Sequence, residues 1–327
     1  MKLEIKKIHL DLKVNWKLSR NQTTYKENFI ITLVDVKNFS SEVAPNIRYG
    51  ETPVLIEEQF QAWCSQTDIL LIKSLDDLSQ CLDIIPLCHS LRFSLESVFI
   101  SYLAHKHNQS LSTFLKLQPP KIVPTSFSMP IIPVGEIKDY LAPLARFESL
   151  KIKVNSEVAL DMLREIKKHT QQKLRVDGNE AWSDVDSYLN FEEKVRDMNI
   201  ELVEQPLPSK LSEEMKEIKK RTHFSLLADE SIEDVGDFQE LSAQFDAINV
   251  KLMKTGSLIK ARDLILKAQA HQMKTMIGCM IETSLGISYG MLFSGMCDYV
   301  DLDGHLLIKN EPFKLVSESE GLLKLNS

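Results

Sequence analysis

The sequence predicts a (β/α)8-type barrel behind a small N-terminal α+β domain. Three observations carry this. After Pro119-Pro120, eight short apolar runs alternate with amphipathic stretches. Before them, strand-like segments give way to helix-like ones. Six of the eight runs hold a charged residue in the run or at its end.

Residues from Leu3 to about Asp35 read as two strands, an alternating segment up to Val14 and a second around Asn28 to Val34. From Pro53 to about Leu117 the period turns helical, as in Leu91, Phe93, Leu95, Val98, Phe99 and Leu103, which read as core rather than as a partner groove. Residues 1–120 thus form one α+β unit. The eight runs are Phe127 to Ile132, Leu150 to Val154, Leu174 to Asp177, Ile200 to Glu204, Phe224 to Asp229, Ala247 to Leu252, Thr275 to Cys279 and Tyr299 to Asp303. Parallel strands in this rhythm, spanning residues 121–305, close into a barrel whose site lies at the C-terminal strand ends. That span is short for the fold, so its helices must be short.

Composition narrows the partners. With 39 basic and 46 acidic residues among 327, the net charge is −7 and no basic run stands out, so nucleic acid and anionic membrane surfaces are not expected partners. The opening MKLEIKKIHLDLKV alternates charged and apolar residues, unlike a secretory signal, and no window is long enough to span a bilayer; the expected location is the cytoplasm. The five cysteines (Cys64, Cys81, Cys88, Cys279, Cys297) are scattered without a CxxC spacing and read as free thiols.

Charge in a barrel strand is costly unless a partner or a metal compensates it. The second run carries Lys151 and Lys153, the next three end in Asp177, Glu204 and Asp229, the sixth carries Lys251, and the eighth carries Asp301 and Asp303. One such carboxylate is usually a solvated loop residue. Three on successive strands converge on one side of the mouth and form a hard oxygen site suited to Mg²⁺. Strands two and six stand four apart in a ring of eight, which places Lys153 and Lys251 face to face. Two opposed bases suit inversion at carbon: one takes a proton from one face, the other returns one to the opposite face. Burial, the neighbouring Lys151 and a metal are expected to lower the lysine pKa values toward neutrality. Trp182 reads as helix packing and His305 as a loop residue.

At these residues the chain resembles the enolase superfamily, in the branch containing muconate-lactonising enzyme, and within it the dipeptide epimerases. The motifs are Leu150-Lys151-Ile152-Lys153-Val154, Val176-Asp177-Gly178-Asn179, Val203-Glu204-Gln205-Pro206, Ala228-Asp229-Glu230-Ser231, Ile248-Asn249-Val250-Lys251-Leu252-Met253-Lys254, Gly278-Cys279-Met280-Ile281-Glu282-Thr283 and Asp301-Leu302-Asp303-Gly304. Ser19-Arg20 and Arg48-Tyr49-Gly50-Glu51 resemble the family's capping domain more loosely. The resemblance implies the modified β/α7β form of the barrel, with the cap completed by the tail, 306–327. It implies Asp177, Glu204 and Asp229 as Mg²⁺ ligands and Lys153 and Lys251 as the acid/base pair, since such sites use a lysine or histidine base with Mg²⁺. Lys151 would help hold the substrate carboxylate. Asp301 and Asp303 would receive the dipeptide's ammonium group, and Ser128, Cys279 and Ile281 would face the dipeptide.

Four departures stand out. The loop before strand two and the segment between strands two and three are short, Ser128 stands where relatives often have threonine, and the segment ahead of Glu42-Val43-Ala44-Pro45 lacks the usual glycine-rich pattern. The expected function is epimerisation of a small dipeptide at its C-terminal residue, L-Ala-D/L-Glu being the first guess, with Arg48 and Arg20 set to meet a second carboxylate. An o-succinylbenzoate synthase-like lyase is the alternative; its substrate has no ammonium group for Asp301 and Asp303. The oligomeric state, a homo-oligomer included, is left open.

Overall fold

Alternation over the first 34 residues builds an antiparallel hairpin of β1 (Lys2–Lys17) and β2 (Gln22–Val34) in the computed structural model, which describes residues 1–19, 21–35 and 37–326. Its register runs from Lys2 opposite Val34 to Asp11 opposite Tyr25, slips once, and resumes at Trp16 opposite Thr23. A third strand, β3 (Phe39–Val43), pairs with β2. The sequence pattern does not mark it, because Ser41 and Glu42 are buried there and interrupt the apolar alternation.

The helical segment behaves as its period predicts. Thr52 caps the helix Pro53–Gln66, which opens on proline, and Ser74 caps Leu75–Leu82. The helix His89–Lys106 buries Leu91, Phe93, Leu95, Val98, Phe99 and Leu103, so this face is core.

After β4 (Ile122–Pro124), eight parallel strands line up in chain order: β5 (Phe127–Met129), β6 (Ser149–Lys153), β7 (Lys173–Asp177), β8 (Ile200–Glu204), β9 (Ser225–Ala228), β10 (Ala247–Lys251), β11 (Lys274–Gly278) and β12 (Tyr299–Asp301). Every predicted run is a strand. The connecting helices are short, from Ile137–Leu141 to Leu258–Ala270. Between β5 and β12 the ladder is incomplete, and the seam is drawn together by Ser126 N–H donating to Val300 O (3.2 Å), Ser128 N–H to Asp303 Oδ2 (2.6 Å) and Leu302 N–H to Thr125 Oγ1 (2.9 Å). The result is an N-terminal α+β cap over a nearly closed eight-stranded barrel. In the tail, β13 (Val316–Ser319) and β14 (Leu322–Leu325) form a hairpin that pairs with β4, while Ile308 bridges Leu12 of β1. Among the described residues no helix is long and apolar enough to cross a membrane.

Cap and barrel meet at a buried carboxylate. Glu42 of β3 accepts from Thr283 N–H and Gly286 N–H (3.1 Å) at the start of the helix Ser284–Met291, and from Asn28 Nδ2 (2.8 Å) of β2. Asn28 also donates to Ile281 O (3.1 Å), so the cap sheet is stitched to the loop after β11. Gly286 leaves room there: a Cβ would clash with a carboxyl oxygen of Glu282 and press on one of Glu42, so either side chain would have to shift. Burial, and then the charge of Glu42, push Glu282 up to about 8.

Two predictions follow from this contact. Glu42→Ala leaves several buried donors without an acceptor and is expected to lower the unfolding free energy by about 3 kcal/mol, read from urea denaturation. For Glu282 the folded value lies above the ordinary carboxyl range. Its contribution to stability is therefore complete below about pH 4.5 and is lost as pH rises toward 8, with a slope of at most about 1.4 kcal/mol per pH unit. Denaturation of Glu282→Gln across that window should show a flatter profile than the parent; an identical slope would remove Glu282 as the cause.

Candidate active site

The inward positions at the C-terminal strand ends bring together nearly every charged residue singled out in the sequence. Lys151 and Lys153, two apart on β6, point the same way. Lys151 Nζ lies 3.1 Å from Asp177 Oδ2, 2.8 Å from Glu204 Oε2 and 2.9 Å from Asp301 Oδ2, tying β6 to β7, β8 and β12. Lys153 pairs with Asp177. Across the ring, Lys251 Nζ lies 2.7 Å from Asp229 Oδ2 and 3.9 Å from Glu204 Oε1. All of these residues are buried.

One lysine had a place in the motifs but no role. Lys254, three residues after Lys251, is fully buried and donates to Asp229 Oδ1 (2.7 Å), Asp229 O (2.6 Å) and Asn249 O (3.1 Å). Asn249 in turn donates to Glu204 Oε1 (3.0 Å). The spacing of three in a short helix (Leu252–Thr255) was the available signal, since it returns the side chain to the face that Lys251 begins. Backbone strain gathers at the same place: Asn179, Glu180 and Gln205, just past the ends of β7 and β8, have φ of 45°, 63° and 38°.

Charge balance decides the protonation states. Burial works against the Asp177 carboxylate, but Lys153, Lys151 and Lys251 outweigh it and bring its pKa to about 2. Asp229 is held still further down, its burial overcome by Lys251 and Lys254. For Lys251 and Lys151, burial opposes the ammonium, yet the carboxylates around them win and raise both above the ordinary lysine value. The expected lowering is therefore reversed with these ion pairs in place. Lys254 goes the other way: burial prevails over Asp229 and lowers it. Asp303 is pushed up to about 7 by burial and then by Asp301, while accepting from Ser128 N–H.

The residues fit a divalent cation by their chemistry. Asp177, Glu204 and Asp229 are three buried hard donors on consecutive strands, and two further buried oxygens, Asn179 Oδ1 and Glu230 Oε2, have no hydrogen-bond partner among the described residues. As the side chains stand, no three His, Cys, Asp or Glu among the described residues are grouped to hold a metal. Lysine ammonium groups lie against the carboxylates instead.

A cavity of about 660 Å³ opens above the mouth, lined by Lys151, Lys153, Asp229, Asp301 and Asp303 from the barrel and by Ser128, Cys279 and Ile281 around them. Arg48 also lines it, but its guanidinium is engaged, Nη2 donating to Glu180 Oε2 (2.6 Å) and Nη1 lying 3.4 Å from Glu230 Oε1. Arg20 lies outside the described residues. Trp182 packs on Tyr188 and Phe191. His305 is buried, neither ring nitrogen having a hydrogen-bond partner among the described residues, and its pKa is lowered to about 4, chiefly by burial.

Fold and site together define a capped barrel with a lysine and carboxylate centre at its mouth. Residues 137–315 match the family described as Enolase C-terminal domain-like, more than half of the chain, and the protein belongs to the enolase superfamily. It is similar to an L-Ala-D/L-Glu epimerase from Bacteroides thetaiotaomicron, at 34% identity over 180 residues, covering 55% of this chain but only 47% of that protein. An L-Ala-D/L-amino acid epimerase from Flavobacterium johnsoniae matches at 26% identity over 100% of this chain and 97% of its own length. Among solved structures, a dipeptide epimerase from Enterococcus faecalis, complexed with Mg and the dipeptide L-Leu-L-Tyr, superposes with a TM-score of 0.86 at 21% identity, covering 99% of this chain and 96% of that one.

Lys254 has the strongest structural consequence among the residues the sequence left without a role. Lys254→Met should cost about 3 to 5 kcal/mol of stability, because it leaves the Asp229 carboxylate buried with one cation fewer. Chemical denaturation measures this directly; a change below about 1 kcal/mol would mean that Lys251 alone suffices.

Proposed function

We propose that this chain is a Mg²⁺-dependent dipeptide epimerase that moves a proton at the α-carbon of the C-terminal residue, with L-Ala-D/L-Glu as the first substrate to try. One observation carries the reading. Lys153 and Lys251 stand on strands four apart, with the carboxylates of the three strands between them on one side of the mouth and Asp301 and Asp303 on another. The names of its relatives, which include epimerases of Ala-containing dipeptides, support the same choice.

Asp177, Glu204 and Asp229 would hold the ion. When bound, it supplies positive charge that polarises a substrate carboxylate and draws the charge of Asp229 away from Lys251. Lys153 and Lys251 then do the proton chemistry. The neutral amine on one face breaks the α-C–H bond and becomes an ammonium, and the ammonium on the other face donates a proton to the same carbon, inverting it. One proton is lost and one is gained. Lys151 stands where it can meet the substrate's α-carboxylate. Asp301 and Asp303 face the opposite need: an ammonium group entering a mouth rich in lysines requires its own counter-charge. A substrate lacking that group, as in the lyase alternative, leaves both aspartates without purpose.

A dipeptide library incubated in D₂O with Mg²⁺ tests this, with mass spectrometry reading deuterium at the α-carbon. Exchange with inversion is expected, and excess chelator should abolish it. Lys153→Ala and Lys251→Ala should each stop inversion, while one of them still exchanges the proton of a single epimer. Asp303→Asn should lower kcat/KM for dipeptides about a hundredfold or more, the cost of stranding one member of a buried charge pair. Turnover of a succinyl-type carbocyclic acid with all dipeptides inert would replace the epimerase by the lyase.

A further inference from the structure

The cavity above the mouth carries cations that differ in one respect. Lys151, Lys153 and Arg48 each sit against carboxylates. Lys26 lines the same cavity, yet among the described residues its ammonium has no hydrogen-bond or ion-pair partner. It is half-buried, and burial lowers its pKa from the ordinary lysine value with no neighbouring charge to raise it. A desolvated cation without a counter-charge is a cost to the free protein. The offsetting anion has to come from outside.

Position makes Lys26 a credible reader of substrate. It lies on β2 opposite the buried Leu10, two residues before Asn28, and strand alternation puts Lys26 and Asn28 on one face. Asn28 reaches Ile281 O, so that face looks onto the loop after β11, whose Cys279, Met280 and Ile281 line the cavity. Being inside a paired strand, Lys26 is held more firmly than a loop residue would be. In the dipeptide reaction the substrate's other charges are already matched, the ammonium by Asp301 and Asp303 and the α-carboxylate by Lys151 and the metal centre. A side-chain carboxylate is the charge left over.

We propose that Lys26 is a specificity-determining residue that selects dipeptides bearing a side-chain carboxylate. The inference rests on the epimerase reading above and assigns to Lys26 the part that the sequence alone gives to Arg48 and Arg20. Lys26 stands on the cap sheet rather than on the barrel strands that carry Lys153 and Lys251, so it acts through substrate capture and shows in KM rather than in kcat.

Matched pairs test it: Ala-Glu against Ala-Gln, and Glu-Ala against Gln-Ala, each followed by α-deuterium exchange in D₂O with the wild type and with Lys26→Met. The wild type should favour the acid over its amide by about tenfold or more in at least one pair, and the responding pair identifies which residue Lys26 meets. Lys26→Met should bring that ratio close to one, through KM, with the amide substrates unaffected. Thermal melting supplies a second reading without substrate, since removing an unpaired desolvated charge should leave Lys26→Met at least as stable as the parent. An acid preference that survives in Lys26→Met, or none in the wild type, overturns the assignment and leaves the epimerase standing. No exchange with any dipeptide overturns both.

Discussion

Neutrality in a space closed to water governs this molecule. Four lysine ammonium groups, on Lys151, Lys153, Lys251 and Lys254, share the barrel mouth with Asp177, Glu204, Asp229, Asp301 and Asp303, and all nine side chains are buried. None could stand there alone, because an isolated buried charge costs several kcal/mol even after relaxation. Each strand's charge is therefore an obligation on its neighbours. Lys151 shows this best, since one ammonium meets carboxylates from β7, β8 and β12 and so links the two sides of the ring. The same arrangement that closes the barrel stores the chemistry. A divalent cation at the three carboxylates would shift the balance toward excess positive charge, and a lysine would be the group to yield a proton.

The cap answers a different need. A barrel mouth open to solvent would screen those charges, and screening would weaken every interaction that the chemistry uses. Glu42 and Asn28 fasten the cap sheet to the start of the helix Ser284–Met291 and to Ile281, while Arg48 reaches from the cap to Glu180 and Glu230 beyond β7 and β9. These contacts land on loops that follow the charged barrel strands, so the cap is positioned by the same strand ends that carry the candidate site. Apolar packing joins the two parts as well, as where Phe93 of the cap meets Tyr289 edge to face.

How much of this the sequence discloses depends on whether a residue answers to a local pattern or to a distant partner. The eight strands were legible because a buried parallel strand is a short apolar run, and the site was legible because charge in such a run is anomalous. Strand β3 was not, since its buried Ser41 and Glu42 serve a helix start some 240 residues away, with Glu42 bonded to Thr283. Nor was the commitment of Arg48 to Glu180 and Glu230, which only the closed cap brings near. The pKa values of Lys151 and Lys251 went against expectation for the same reason. Burial can be inferred from a strand run, but the number of carboxylates facing each ammonium cannot. Lys254 lay in plain view three residues after Lys251, yet it was given no role, and only the fold turns it onto Asp229.

These facts bear on where selectivity can reside. Within the mouth every cation is committed to a carboxylate that the barrel itself supplies, and the barrel's pairs are mutually fixed by shared partners such as Asp229, which meets both Lys251 and Lys254. Changing one of these to suit a new substrate would strand its partner, at a cost comparable to a large fraction of a domain's stability. A residue on the cap sheet carries no such debt to the barrel. Lys26, on β2, can be exchanged without unpairing any described charge, so under the proposed reading recognition of the variable part of a substrate would change there while the lysine and carboxylate centre stays as it is. On the proposed reading, the division of labour between barrel and cap would follow from charge balance: chemistry where every charge is paired, and selectivity where one is not.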